Sequence, residues 1–413
     1  MRSLAESISI DDKNQYAWTR MADDLYLSAA EAAKILGVEP ATLYAYVSRK
    51  KLRSLAVPGS QTRRYWRSDV LALAAKRKPS ANAPSAGETS ITLLTEEGTY
   101  YRGQNVIALA ETESVESIAG LLWQVAPEEI FSARLPRSAP GQDAILASLS
   151  AAPRSDRVLA LLPVLERANP TAFDLSPTGF ARTGADVLRW LTALFFDLPV
   201  PSVEPIHQVV ARATGSSDAM ADLVRRAMIL VADQQFADTT RAVRAGAVTG
   251  VTPYGIAIIG LVVGGGQSIR FNRIDVVRRF ILEIVSSAYG EEAIVSRVRT
   301  GEKIPGFEPL PNHQERDIRA DALLRACERV FDGDTEFERL QRALDLANKL
   351  TGRMPGFVIP LLFLGYKLGV PGNELAVATI GRAIGWIAHA HEEMQRSPSR
   401  PKAAYVGALP IEI

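Results

Sequence analysis

Between Asn105 and about Glu393 the apolar residues recur at helical spacing, and proline and glycine cut the pattern into segments. Val115, Ile118, Ala119 and Leu122 mark one apolar face; Val187, Leu188, Trp190, Leu191, Leu194 and Phe195 mark another. A striped helix cannot bury its stripe alone, so a run of them has to close as helix on helix. The body of this chain is therefore expected to be nearly all-α, and it shows no internal repeat. Its strand signal lies at the front, where Ser90 to Gly103 alternates around Glu97 and Gly98 and reads as a β-hairpin. With 413 residues, 47% of them apolar, the chain is long enough for two or three domains around a sizeable core.

Net charge is +1, and that small sum hides a division. Residues 25–78 carry eleven Lys or Arg against three Asp or Glu, a balance of +8, which leaves −7 for the remainder. A small basic module attached to a mildly acidic body points to a nucleic-acid-binding head. Its pattern is that of a winged helix-turn-helix. Ser28 and Glu31 form a capping box for a helix over about Ala29–Leu36, which Gly37 closes. Pro40 opens a second helix running to about Lys50. That helix turns Leu43 and Val47 inward and Thr42, Tyr44 and Arg49 outward. Leu55 to Tyr65 reads as a hairpin around Pro58 and Gly59, with Arg63 and Arg64 on its return arm; Asp69 reads as the cap of a last helix through Ala75. The module resembles the DNA-binding domains of the MerR and excisionase families. That resemblance implies a second helix in the major groove and wing arginines on phosphates, with Thr42, Tyr44, Arg49, Arg63 and Arg64 as the DNA-contacting set. The competing account is a basic surface that only solvates an accessory domain. One head touches few phosphates, so useful affinity requires a dimer on two half-sites.

Residues 1–24 read as a polar tail, 25–78 as the head, 79–88 as a small, polar, Pro-containing linker, and 89–413 as the body. The single cysteine, Cys327, excludes an internal disulfide and a cysteine-based zinc cluster. The N-terminal stretch carries Glu6, Asp11, Asp12 and Lys13 and does not read as a signal peptide. The apolar run Ile256–Gly266 is too short to span a bilayer. A cytoplasmic protein with no membrane partner and no metal is expected.

Two later segments are more specific. Residues 380–392 read Ile-Gly-Arg-Ala-Ile-Gly-Trp-Ile-Ala-His-Ala-His-Glu, and residues 400–407 read Arg-Pro-Lys-Ala-Ala-Tyr-Val-Gly. Together they resemble the closing signature of citrate synthases. The hairpin with Tyr100, Tyr101, Arg102 and Gly103, and the stretch Gly250–Tyr254 ahead of an apolar run, are similar to that family too. The likeness covers about residues 89–407, and its union with an N-terminal helix-turn-helix looks like a bacterial subgroup. It implies a mainly α fold: a citrate-synthase-like all-helical body with a short N-terminal β-hairpin, behind a small winged helix-turn-helix. It also implies a homodimer with no bound cofactor. Acetyl-CoA or another acyl-CoA, and oxaloacetate or a citrate-like carboxylate, enter as substrates or ligands.

The family joins acetyl-CoA to oxaloacetate. Taking a proton from a thioester methyl needs a carboxylate base at the carbon and a donor on the thioester oxygen. The resemblance assigns this work to an aspartate and two histidines. Here Ile269 or Ser268 stands at one histidine, Glu308 and Pro309 stand where Gly-His is expected, and Gly356 stands at the aspartate. Gln234 replaces a further pocket histidine, and no histidine occurs between His207 and His313. By contrast, the three arginines that hold substrate carboxylates match Arg319, Arg382 and Arg400, the last lent across the dimer interface. A guanidinium is a planar fork suited to a carboxylate, and it stays charged. Binding groups thus remain while proton-handling groups are gone, and each lost acid or base costs about 10²–10⁴ in rate.

Blander roles stand beside these. The arginines can serve as structural ion pairs, and Glu308 or His313 can be plain loop residues or stand-ins for a lost group. His389 and His391 lie two apart on one helix and face different sides, which disfavours a shared metal and favours packing. Gly264, Gly265 and Gly266 read as a turn after a helix, and Trp386 as core. Three functions remain open. One is a catalytically impaired member that binds a di- or tricarboxylate or an acyl-CoA and modulates DNA binding. Another is an active citrate or 2-methylcitrate synthase with rearranged groups. The third is a structural subunit of an active paralogue.

Overall fold

The computed structural model describes residues 26–48, 52–57, 62–67, 69–70, 73, 88–95, 98–234, 237–266, 273–307 and 316–396. It divides into two compact units, Met1–Ala86 and Gly87–Ile413.

In the first unit, Ser28 caps α1 (Ala29–Leu36): its hydroxyl accepts from Glu31 N at 3.3 Å, and Glu31 Oε2 accepts from Ser28 N at 2.8 Å. Gly37 ends the helix at φ 62°, a conformation that costs glycine little. Helix α2 spans Pro40–Ser48. Strands β1 (Tyr26–Leu27), β2 (Ser54–Ala56) and β3 (Arg63–Trp66) form an antiparallel sheet in the order β1-β3-β2. Leu27, Ala32, Ala33, Leu36, Leu43, Leu52, Tyr65 and Val70 close a small core, with Val47 packed against it. The expected hairpin turn at Pro58 and Gly59, and Ala75, lie outside the described residues. Asp69 does not cap a helix, because Arg67 before it is already helical. Its carboxylate instead accepts the Arg53 backbone N–H at 2.9 Å and the Arg53 guanidinium at 2.8 and 2.9 Å.

The second unit opens with a three-stranded antiparallel sheet of β4 (Thr92–Leu94), β5 (Thr99–Tyr101) and β6 (Gln104–Asn105). The alternating segment predicts two of these strands. The third is too short to carry a pattern.

The remaining regular elements among the described residues are helices. In chain order come α3 (Val106–Thr112), α4 (Val115–Trp123), α5 (Pro127–Ile130), α6 (Gln142–Ser148), α7 (Arg154–Ala168), α8 (Pro177–Phe195), α9 (Ile206–Thr214), α10 (Asp218–Val231) and α11 (Asp238–Ala247). After them come α12 (Pro253–Gly264), α13 (Asp275–Ser286), α14 (Glu292–Thr300), α15 (Ile318–Val330), α16 (Thr335–Thr351), α17 (Val358–Lys367) and α18 (Ala376–Met394). Helices α8 and α18 form the centre. Every expected apolar position of α4 and α8 is buried. In α8 the burial goes well beyond one stripe, because α18, α12, α7 and α9 cover it on several sides. Each large apolar side chain so buried contributes about 1.5–3 kcal/mol. Trp386 is core, as expected, and Gly264 and Gly265 close α12. No helix among the described residues is long and apolar enough to cross a membrane.

Candidate functional site

Asp233 lies between α10 and α11 and is fully buried. A lone carboxylate there would be costly, so its partners define the site. Its Oδ1 accepts from Arg382 Nη1 at 3.1 Å. Its Oδ2 accepts from Thr92 Oγ1 at 2.6 Å and faces His389 Nε2 at 3.0 Å. Burial alone would raise the Asp233 pKa, but His389, Arg382 and Thr92 outweigh it and hold the carboxyl well below the usual range. An ionised carboxylate only accepts, so His389 Nε2 carries the hydrogen. His389 Nδ1 has no partner among the described residues. The Asp233 amide donates to Tyr101 Oη at 2.9 Å, and burial, followed by the Asp233 charge, raises the Tyr101 pKa. Arg382 Nη2 donates to Thr240 Oγ1 at 3.1 Å.

The local sequence explains how α18 comes so near. Gly381 and Gly385 sit one turn apart on the face toward the end of α10. A Cβ at Gly381 would stand 2.7 Å from Met228 O, and one at Gly385 would stand 2.3 Å from Ala232 O and 2.6 Å from Asp233 Oδ1. Their bareness lets Gly385 N donate to Ala232 O at 3.0 Å and sets Arg382 and His389 against Asp233. Thr92 and Tyr101 are cross-strand partners, so one face of the hairpin delivers both.

Arg319 belongs to the same neighbourhood. Asp317 caps α15, accepts the Arg319 amide at 3.1 Å, and takes its guanidinium at 3.1 and 3.0 Å. The guanidinium lies 5.0 Å from the Phe357 ring centre. Burial works against its charge, but Asp317 outweighs burial and the pKa is raised, with Tyr101 and Asp233 adding to that. Gly356 is adjacent in sequence to Phe357, and its amide donates to Gly306 O at 2.7 Å. A Cβ at Gly356 would stand 3.1 Å from that oxygen. The two Pro-Gly-Phe loops, at 305–307 and 355–357, are thus bonded to each other.

The structure therefore brings Arg319, Arg382 and Gly356 to elements around one buried polar centre. Ser268, Ile269, Glu308, Pro309, His313 and Arg400 lie outside the described residues. Gln234 carries its backbone oxygen to Thr240 Oγ1 at 2.9 Å. His391 faces away from Asp233, stacking 5.9 Å from Phe180 and meeting Gln395 at 3.0 Å. Sequence reasoning treated His389 as packing and overlooked Thr92 and Tyr101. The hairpin's alternation was the available signal, since it puts both residues on the buried face. Among the described residues no group of three or more His, Cys, Asp or Glu is placed to hold a metal.

Chemically, two guanidiniums in low-dielectric surroundings favour anionic oxygen. Arg382 spends two of its five N–H donors among the described residues, so it retains capacity for another acceptor. Asp233 is a poor base. Its oxygens are committed to three donors, and its affinity for a proton is depressed.

In the head, Tyr44 is 56% exposed on α2 and Thr42 is half-buried. Arg63 donates to Ser54 Oγ at 2.9 Å, and neighbouring Arg64 belongs to the opposite face of β3. Arg49 lies outside the described residues. Arg53, which the sequence did not single out, lies 4.8 Å from the Trp66 ring centre and locks the wing to Asp69.

A family model for the C-terminal domain of citrate synthase matches residues 82–402, and a model for a helix-turn-helix domain matches residues 26–78. No curated protein sequence matches the chain. Among solved structures it is similar to citrate synthase from Pyrobaculum aerophilum, with TM-score 0.67 and 15% identity over 87% of this chain and 96% of that one. It is similar to the Thermoplasma acidophilum enzyme solved with carboxymethyl coenzyme A and oxaloacetate, with TM-score 0.63 and 19% identity over 79% and 95%. It is also similar to the Thermotoga maritima MSB8 enzyme, with TM-score 0.60 and 20% identity over 82% and 97%.

Proposed function

Because the chain belongs to the citrate synthase family and carries a helix-turn-helix domain in front, we propose that its body senses a metabolite for its head. The body binds a di- or tricarboxylate or an acyl-CoA without efficient turnover, and occupancy alters DNA binding through Tyr44, Thr42, Arg49 and the wing arginines. The observation that carries this reading is the presence of Arg319 and Arg382 near one buried carboxylate, Asp233, whose oxygens are committed to Arg382, Thr92 and His389 and which is held too acidic to serve as a base. Gly356, at the family's aspartate position, has no side chain to act as one. The Thermoplasma acidophilum relative was solved with carboxymethyl coenzyme A and oxaloacetate, which supports these ligand classes. The body is proposed as a homodimer in which Arg400 completes the partner's carboxylate clamp. A dimer would also present the two heads that half-site recognition needs.

One preparation of the full chain tests this. Saturating oxaloacetate, citrate or acetyl-CoA should raise the melting temperature, since a ligand at 100 times its Kd adds about 2.7 kcal/mol. CoA release from acetyl-CoA with oxaloacetate should stay at background. Citrate or oxaloacetate should also change affinity for a DNA fragment selected by the protein from a random pool. Turnover at the level of an ordinary synthase refutes impairment; the absence of any shift with all three ligands refutes binding.

A further inference from the structure

We infer that Asp233 is a positioning residue tying the ligand site to the hairpin through which the chain enters the body, with Thr92 as the connecting donor. This rests on the reading that Arg382 receives a ligand carboxylate, and it adds the route by which occupancy reaches the chain leading to the head.

Three observations carry it. The first concerns connectivity. The boundary between the units falls at Ala86–Gly87, and β4 begins at Thr92, so the strand on Asp233 is among the first elements after the head. The second is that α18 holds this entry segment at two levels. Toward its C-terminal end, Glu392 Oε1 accepts Ser90 N at 2.8 Å and Ser90 Oγ at 2.9 Å. Beside it, Glu88 O accepts from Arg244 Nη2 of α11 at 3.1 Å and from Arg396, just past the end of α18. Deeper in the body, Thr92 reaches α18 through Asp233, which binds Arg382 and His389 of that helix. The third lies in how Asp233 divides its oxygens. Oδ1 serves the ligand-binding arginine, while Oδ2 serves the entry strand and the imidazole.

A carboxylate arriving at the remaining donors of Arg382 shares that guanidinium's charge with Asp233 Oδ1. Asp233 is fully buried, so water cannot make up the loss. Its charge falls more heavily on Thr92 and His389, and a hydrogen bond to a less neutralised carboxylate is stronger. Occupancy is therefore felt at β4 without any backbone displacement. Thr92 bonds Oδ2 and leaves the Arg382–Oδ1 contact in place, so its removal separates binding at Arg382 from transmission.

The test uses the full chain, its Thr92→Val variant of the same shape without the donor, and Thr92→Ser, which restores it. Citrate is the probe, with melting temperature and amide hydrogen exchange as readouts. In the wild type and Thr92→Ser, citrate slows exchange across residues 90–94 about fivefold or more, the lower end of ordinary coupling. In Thr92→Val the melting shift persists while the slowing falls below about twofold. A Thr92→Val protein that keeps both overturns the inference. If citrate shifts no melting temperature in the wild type, the ligand reading fails on its own account. The tie is then read without citrate: Thr92→Val must speed exchange across residues 382–389 of α18, and unchanged exchange there overturns it.

Discussion

Asp186 offers a perturbation whose sign reverses the usual expectation for a charged residue. It lies on α8, mostly shielded from solvent, with Asn169 Nδ2 donating to its Oδ2 at 3.3 Å. Burial pushes its carboxyl from 3.8 up to about 6, although Arg189, Arg134 and Asn169 pull it back. A carboxyl whose folded pKa lies above its unfolded value favours the folded state only while protonated. It costs stability as pH rises from about 4 through about 6, and the cost is complete above that. The rise from 3.8 to about 6 corresponds to about 3 kcal/mol at neutral pH, at about 1.36 kcal/mol for each tenfold change in proton affinity. Asp186→Asn removes the charge and keeps an acceptor for Asn169. A body of roughly 330 residues gains about 1.5 °C per kcal/mol, so the variant should melt about 4 °C higher than wild type near pH 7.5. Near pH 4 the two should melt together. Calorimetric scans across that range measure the difference directly. A variant that melts lower at pH 7.5, or whose gain is the same at both pH values, refutes the argument that uncompensated burial of this charge dominates its neighbours' attraction.

Gly385→Ala should be among the most damaging single-methyl additions, because its Cβ meets Ala232 O at 2.3 Å and Asp233 Oδ1 at 2.6 Å. A loss of about 1–3 kcal/mol or more is expected, read as a lower denaturant midpoint and a weaker ligand-induced melting shift. Ser28→Ala removes the hydroxyl that accepts from Glu31 N and leaves only the backbone half of the capping box on α1; it should cost the head about 1 kcal/mol, seen as a lower melting transition of that unit and an unchanged transition of the body.

Much of the architecture is legible in the chain because it depends on local rules. The capping box and Gly37 bound α1 to the residue. The apolar stripes of α4 and α8 identify their buried faces, and the alternation from Ser90 to Gly103 gives the hairpin. Family resemblance supplied the arginines Arg319 and Arg382, and both come to one neighbourhood. Other features were out of reach. Gln104–Asn105 is too short a strand for any pattern, and Asp69 has the composition of a cap but the job of an ion-pair partner. The spacing of His389 and His391 puts them on different sides of α18, but which of them meets Asp233 is set by where α18 crosses α10, and no periodicity records that.

By itself, then, the sequence determined the elements, the division into a basic head and a helical body, and the family, because periodicity, caps and charge act between near neighbours in the chain. Only the tertiary structure decided that Arg382 shares its charge with Asp233, that Thr92 and Tyr101 complete that carboxylate's shell, and that Gly356 is bonded to Gly306. The reason is physical. A buried charge takes its partners from whatever donors the packing brings within hydrogen-bond reach, and here those donors come from a hairpin and a helix at opposite ends of the body's sequence.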